Sequence, residues 1–204
     1  MQYPLKKLVI ATGNAGKLRE IQHLLQPLSI EVLPQSEFAI PEAEEPYCTF
    51  IENALTKARH ASRHTGLPAL ADDSGICVDA LQGAPGVHSA RYAGEGNTSG
   101  KQDEQNNAKL LQSLKGEKNR YAHYYCVMVL VRYADDPQPL IAEGIWPGEI
   151  LESPRGEGGF GYDPIFLDAK TDKTGAELPI EIKNRISHRG QALAKMLHML
   201  ERLK

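Results

Sequence analysis

Leu8-Val-Ile-Ala11, Thr12-Gly-Asn-Ala-Gly-Lys17, Leu18-Arg-Glu-Ile-Gln-His-Leu-Leu25 and Ile30-Glu-Val-Leu33 follow one another almost without interruption. The first run is short, apolar and β-branched, which predicts a buried strand. It breaks at two glycines, and a helix follows with Leu18, Ile21, Leu24 and Leu25 on one face, ending before Pro27. Ile30–Leu33 predicts a second strand. Strand, helix, strand in this order predicts a parallel pair and an α/β fold.

The rest of the chain extends that pattern. Pro41-Glu-Ala-Glu-Glu-Pro46 is an acidic loop, and Thr49-Phe-Ile-Glu52 is a capping box. The helix it opens is expected to reach about Arg63 with Ile51, Ala54, Leu55, Ala58 and Ala61 inward. Asn53 and Lys57, four apart, share another face. Pro68–Ala71 predicts a short strand that ends at Asp72-Asp-Ser-Gly75 and is followed by Ile76-Cys-Val78. Gly83–Gly100 is turn-rich. A helix is expected over Asn107–Leu114, and the aromatic, β-branched run Tyr121–Arg132 predicts a strand. Leu140–Ile145 and Glu149–Leu151 read as two more strands, giving a mixed sheet. A glycine-rich loop, Pro154–Gly161, leads into Tyr162–Leu167. The last helix carries Leu193, Met196, Leu197, Leu200 and Leu203 at helical spacing, with Ser187 as its N-cap. No internal repeat is present.

Composition bounds the function. The 204 residues are enough for a self-sufficient core, with 41% hydrophobic and 24% charged residues. A net charge of −3 argues against nucleic-acid binding through a broadly cationic surface, so an anionic ligand needs a local cluster of cations. Cys48, Cys77 and Cys126 form no C-x-x-C pair, which argues against a zinc or redox motif and fits a reducing cytoplasm. No stretch approaches the ~20 apolar residues of a membrane span.

Four segments can carry chemistry. Thr12, Gly13, Asn14, Ala15, Gly16 and Lys17 form a glycine-bearing helix start with a lysine in its first turn, suited to phosphate. It is not a Walker A loop, because the glycines are three apart and Leu18 stands where Ser or Thr is required. The bland alternative is structural punctuation. Asp72 and Asp73, with Glu44 and Glu45, could serve a divalent cation, and an extended chain would send the two aspartates to opposite faces. The alternatives are a plain Asp-Asp-Ser-Gly turn and solvated loop charges. Gly158-Gly-Phe-Gly-Tyr-Asp163 offers Phe160 for stacking on a base and Asp163 for its edge, or else packs Phe160 into the core. His188 and Arg189, with Lys183 upstream, place cations at a helix N-terminus, where the dipole disfavours them unless an anion or acceptor lies close. The Tyr121–Tyr125 aromatics read as sheet packing, and Asp103-Glu104 as a solvated face.

Taken in order, Thr12–Glu20, Thr49–Ala54 with Lys57, Ala71–Gly75, Gly83–Arg91, Gly158–Pro164 and Ile186–Ala192 resemble the inosine triphosphate pyrophosphatase family. The resemblance spans nearly the whole chain and is loosest over Glu95–Gln105. It implies an elongated α/β molecule over residues 1–204, a single domain whose long mixed sheet has flanking helices and two lobes around a nucleotide cleft. It implies hydrolysis of dITP, ITP and XTP to the monophosphate and pyrophosphate, with Mg2+, in a homodimer. Carried over by motif, the catalytic base is Asp73 and the metal-binding acids are Glu45 and Asp73. Thr12, Asn14, Lys17, Lys57 and Ser74 map to the triphosphate site, and the loop's Gly13, Ala15 and Gly16 are counted with it. Phe160, Gly161, Tyr162, Asp163, Lys183, His188 and Arg189 map to the base pocket. Donors at His188 and Arg189 suit the 6-oxo group of hypoxanthine and xanthine rather than the amino group of adenine. The rival readings are a Maf-like pyrophosphatase for pyrimidine or modified nucleotides and a non-catalytic nucleotide-sensing module.

Overall fold

The computed structural model describes residues 5–26, 30–94 and 99–202. The expected helix stop at Pro27, Leu203, and the first part of the Glu95–Gln105 stretch lie outside these residues. So do the side chains of Ala15 and Leu24.

The opening segment folds as its pattern predicts. β1 (Lys7–Ile10) leads into α1 (Ala15–Leu25) and then β2 (Glu31–Pro34), and β1 pairs parallel with β2 from Lys7↔Glu31 to Ile10↔Pro34. α2 (Phe50–Thr65) follows the acidic loop and β3 (Ala69–Val78) runs parallel to β1. α3 (Ser99–Ser113), β4 (Tyr121–Val131), β5 (Leu140–Ile150), β6 (Phe166–Asp168), α4 (Ile180–Ile186) and α5 (His188–Glu201) complete the chain. The strands form one six-stranded mixed sheet in the order β2-β1-β3-β4-β5-β6, with β5 and β6 antiparallel.

The chain divides into two compact units. The first comprises residues 1–73, 126–144 and 189–204, and the second residues 74–125 and 145–188. Each has its own core. In the first, Leu8, Ile10, Ile21, Leu25 and Leu70 join Cys126, Met128, Leu130, Leu193 and Met196. In the second, Ile76, Val78, Leu110, Leu114, Tyr124, Trp146, Ile165 and Phe166 pack together. Cys126–Val131 is buried at every position, as expected for a central strand covered on both faces.

Several boundaries differ from expectation, each for a local reason. β3 does not end at Asp72 but continues as a single ten-residue strand through Asp-Asp-Ser-Gly. The turn reading is therefore wrong: counter-charges described below let both aspartates stay in a strand interior. β5 is also one strand, where Trp146-Pro147-Gly148 read as a break between two. Gly148 lies so close to the Leu167 carbonyl and the Phe166 ring that no Cβ fits there. α2 runs two residues beyond Arg63 to a left-handed Gly66, whose N–H bonds to the Ser62 carbonyl at 2.8 Å. Its inward face is Asn53, Ala54, Ala58, Ala61 and Ser62, whereas Ile51 is exposed. In the capping box the Glu52 carboxylate accepts from the Thr49 hydroxyl at 2.5 Å instead of from its backbone. α3 starts eight residues before Asn107, and α4 is a helix the sequence reading did not anticipate. Ser187 closes α4, its N–H bonding to the Lys183 carbonyl at 2.9 Å, immediately before α5 begins.

The β4–β5 connection carries a measurable ion pair. The buried Asp136 carboxylate accepts from Arg132 Nε at 2.7 Å, from Arg132 Nη2 at 2.5 Å and from the Gln138 N–H at 2.9 Å. These bonds, Arg132's foremost, hold its carboxyl down to about 2 against the opposing effect of burial. A depressed folded pKa stabilises above the unfolded value and ceases to as pH falls through the folded one. We expect Asp136→Asn to lose roughly 1–2 kcal/mol at neutral pH in urea unfolding. The gap to the parent should close between about pH 4 and pH 2; a gap that ignores pH contradicts this.

Candidate active site

In the first unit, cations and carboxylates are matched across β3. Asn14 caps α1, its Oδ1 accepting from the Gly16 N–H at 2.9 Å and the Lys17 N–H at 3.1 Å, while Thr12 Oγ1 accepts from the Asn14 N–H at 3.1 Å. The Gly16 and Lys17 amides are thus capped by the Asn14 side chain. Lys17 supplies the charge, and its Nζ lies 2.9 Å from Asp72 Oδ2.

The two aspartates do point to different partners, as an extended strand requires. Asp72 is buried with Lys17 and with Arg189 of α5, whose Nε is 3.5 Å from the same Oδ2. Burial pushes its carboxyl up, but Lys17, Arg189 and Lys57 outweigh this and hold it well below the usual carboxylate range. Asp73 faces α2. Lys57 Nζ lies 3.3 Å from Asp73 Oδ1 and 3.1 Å from Glu45 Oε1, so one ammonium joins both acids.

Burial, with Glu45 and Asp72 nearby, raises the Asp73 carboxyl above its ordinary value even though Lys57 and Lys17 oppose the shift. Burial alone would lower Lys57, but Asp73, Asp72 and Glu45 keep its ammonium above the ordinary value.

Asn53 is the organiser that sequence reasoning nearly missed. Buried on α2, it donates to Asp73 Oδ2 at 3.4 Å and to the Tyr47 carbonyl at 3.1 Å, and accepts from the Tyr47 N–H at 3.2 Å. It thereby fixes the end of the acidic loop that delivers Glu45. Its four-residue spacing from Lys57 was the available signal. Glu44, by contrast, is exposed.

Among the described residues no three His, Cys, Asp or Glu side chains gather as a metal cluster. Glu45 and Asp73 still fit magnesium's preference for one or two carboxylates completed by water and phosphate oxygens. Their convergence on one ammonium shows that they already share a cation.

In the second unit the glycine-rich loop is held from three sides. Gly156, Gly159 and Gly161 adopt left-handed backbone at φ 87°, 77° and 63°. The Asp163 carboxylate accepts from the Phe160 N–H at 2.8 Å and forms a very close ion pair with Lys183 Nζ. Asp103 accepts from the Gly161 N–H at 2.8 Å, and Asn107 donates to the Gly161 carbonyl at 3.1 Å. Asp103 is therefore not simply a solvated charge; it and Asn107, one helical turn apart on α3, clamp the Gly161 backbone from both ends.

These contacts hold Phe160 out of the core, at 45% exposure with Lys183 Nζ 4.8 Å from its ring centroid. Tyr162 turns inward instead, its hydroxyl donating to the Ser89 carbonyl at 2.8 Å. Asp163, nearly fully buried, shapes the loop rather than presenting a free edge acceptor.

His188 stacks face to face on Tyr124, with centroids 4.6 Å apart and planes at 5°. Trp146 lies 6.4 Å away and nearly parallel, and its indole N–H donates to Asp168 at 2.6 Å. Of the Tyr121–Tyr125 aromatics, Tyr124 packs as expected, with His188 as its neighbour, whereas Tyr121 is exposed. Ser74 follows Asp73 on β3 and is half-buried.

The Ham1 family's sequence profile matches residues 8–199. A dITP/XTP pyrophosphatase from Nitrosomonas europaea is 61% identical over 196 residues, covering 96% of this chain and 95% of that protein. One from Ralstonia nicotianae is 59% identical, covering 96% of this chain and 97% of its own length. Among solved structures, a HAM1 protein from Coxiella burnetii gives a TM-score of 0.91 at 48% identity, covering 96% of this chain and 98% of that one. The Staphylococcus aureus Ham1 protein gives 0.88 at 40% identity, covering 98% and 100%. With sequence and fold matched over nearly its full length, the chain belongs to the Ham1 family.

Proposed function

We propose that the chain hydrolyses deaminated purine nucleoside triphosphates (dITP, ITP and XTP) to the monophosphate and pyrophosphate. The observation that carries this reading is the pairing of Asp73 with Glu45 about Lys57, beside a second buried pair of Asp72 with Lys17. Relatives named dITP/XTP pyrophosphatase, at about 60% identity over nearly the whole chain, support the substrate class.

Glu45 and Asp73 would hold Mg2+, which supplies charge neutralisation on the triphosphate. Asp73 accepts a proton from the water that attacks the α-phosphorus. The bond from that phosphorus to the bridging oxygen breaks, and the electron pair leaves with pyrophosphate. Lys57 and Lys17 stabilise the charge gathering on that leaving group, which is the main demand of phosphoryl chemistry. Thr12, Asn14 and Ser74 would orient the phosphates.

On the second unit the exposed Phe160 ring would stack on the base, with Lys183 and Asp163 holding its loop in shape. His188, the last residue of this unit, and Arg189, which follows it in the chain and belongs to the first, would supply the donors for the 6-oxo group. An adenine amino group meeting those donors leaves them unpaired, which costs roughly 1–3 kcal/mol per contact. A homodimer in the cytoplasm accompanies this reading through the family resemblance.

A panel of ITP, XTP, dITP, ATP, GTP and UTP, assayed for pyrophosphate with and without Mg2+, tests it. ITP and XTP should exceed ATP by at least tenfold in kcat/KM, and chelation of the metal should abolish turnover. A preference for UTP supports the pyrimidine rival. Tight ITP binding without turnover supports a sensing module.

A further inference from the structure

Asp72 has no part in the chemistry just assigned, yet it is among the most buried charges in the chain, with its side chain 1% exposed. A buried carboxylate with no ligand role is a burden on stability unless its partners need it. Its partners come from opposite ends of the sequence. Lys17 Nζ reaches Oδ2 at 2.9 Å from the first turn of α1, and Arg189 Nε reaches the same oxygen at 3.5 Å from the first turn of α5.

The side chains of Lys17 and Arg189 are themselves 17% and 6% exposed, so neither cation is free to swing through solvent. Lysine has a long, flexible stem with many rotamers, and a partner held in place removes most of them. Arg189 also sits at a helix start, where the macrodipole repels it, and Asp72 supplies the missing negative charge.

We propose that Asp72 is a positioning residue that aims two substrate-binding cations at once, Lys17 toward the triphosphate and Arg189 toward the base. The proposal rests on the functional reading above and deepens it. The carboxylate is 1% exposed and pairs with both cations. It fixes where both ends of the nucleotide find their positive charge, and so ties grip on the phosphates to discrimination of the base. Asp73, the next residue, faces Lys57 on the other side of the strand, which gives adjacent aspartates separable duties.

Two readouts separate the ends of the substrate. Inhibition by inorganic tripolyphosphate reports the phosphate end alone. The ratio of kcat/KM for ITP over ATP reports the base end, because both nucleotides carry the same triphosphate. Lys17→Met should raise the tripolyphosphate Ki about tenfold and leave the ratio within twofold, and Arg189→Leu should do the reverse. Asp72→Asn should move both, each by about tenfold, although it deletes no group that touches substrate. A purely structural role would lower the melting temperature and shift neither quantity in the folded fraction.

Where Asp72→Asn unfolds below the assay temperature, the double variant Asp72→Asn/Lys17→Met buries one uncompensated cation fewer. Its ITP:ATP ratio should fall about tenfold below that of Lys17→Met alone. The proposal is overturned if Asp72→Asn changes only one readout or neither, or if the double variant matches Lys17→Met. A parent protein that fails to convert ITP overturns the functional reading itself, which the parent control shows before any variant is compared.

Discussion

Asp73→Asn is expected to reduce kcat on ITP by about a thousandfold or more while leaving ITP binding within a few-fold of the parent. The replacement is nearly isosteric, so the strand and the hydrogen bond to Asn53 can survive it. What the proposed mechanism loses is its proton acceptor, together with one of the two carboxylates it assigns to the metal. Removing a positioned general base costs 10²–10⁴ in rate, and loss of metal charge adds to that. Binding should persist because Lys17, held by Asp72, and Arg189 lie on the other face of β3. Steady-state pyrophosphate release paired with ITP titration by calorimetry separates the two effects. Near-normal turnover removes Asp73 from the role of base.

The second large effect is on stability. Lys183→Met keeps the length and apolar stem of the side chain but leaves the Asp163 carboxylate, 3% exposed, without its cation. Breaking a buried pair from one side typically costs 3–5 kcal/mol, more than the pair itself contributes. In a chain of this length that corresponds to a fall of roughly 10 °C in Tm. Thermal unfolding by circular dichroism measures it. The sign of the cause is checked by Lys183→Met/Asp163→Asn, which should recover a good part of the loss because no uncompensated charge remains. A double variant less stable than Lys183→Met places the effect elsewhere, for instance in lost packing beneath Phe160. KM for ITP should rise in the single variant as well, since Asp163 then holds the Phe160 backbone less firmly.

What could be read in the sequence divides along a physical line. Local, periodic signals were legible: the β-branched run of β1, the apolar face of α1, and the Thr49 cap with its helix all report interactions within a few residues. So was the pairing of Asn53 with Lys57, because a helix turns four-residue spacing into a shared face. Signals that depend on distant partners were not. Asp-Asp-Ser-Gly looks like a turn until Lys17, Arg189 and Lys57 arrive to neutralise it, and those residues come from three separate helices. Trp146-Pro147-Gly148 looks like a break until β6 is seen lying against Gly148. Asp103 looks like a surface charge until the Gly161 N–H, 58 positions away, is found to need an acceptor.

The site shows the same division. The motifs named the residues, but sequence could not tell a ligand-facing side chain from one that supports it. Phe160 stands exposed while its neighbour Tyr162 is buried, and only the left-handed glycines with the Asp163 and α3 contacts explain why.

The proposed reaction is attack by water on the α-phosphorus of a 6-oxopurine triphosphate. ITP hydrolysis in oxygen-18 water tests it most directly, with the products resolved by mass spectrometry. Attack at the α-phosphorus yields inosine monophosphate carrying one labelled oxygen and unlabelled pyrophosphate. Labelled pyrophosphate, or inosine diphosphate with labelled orthophosphate, contradicts it.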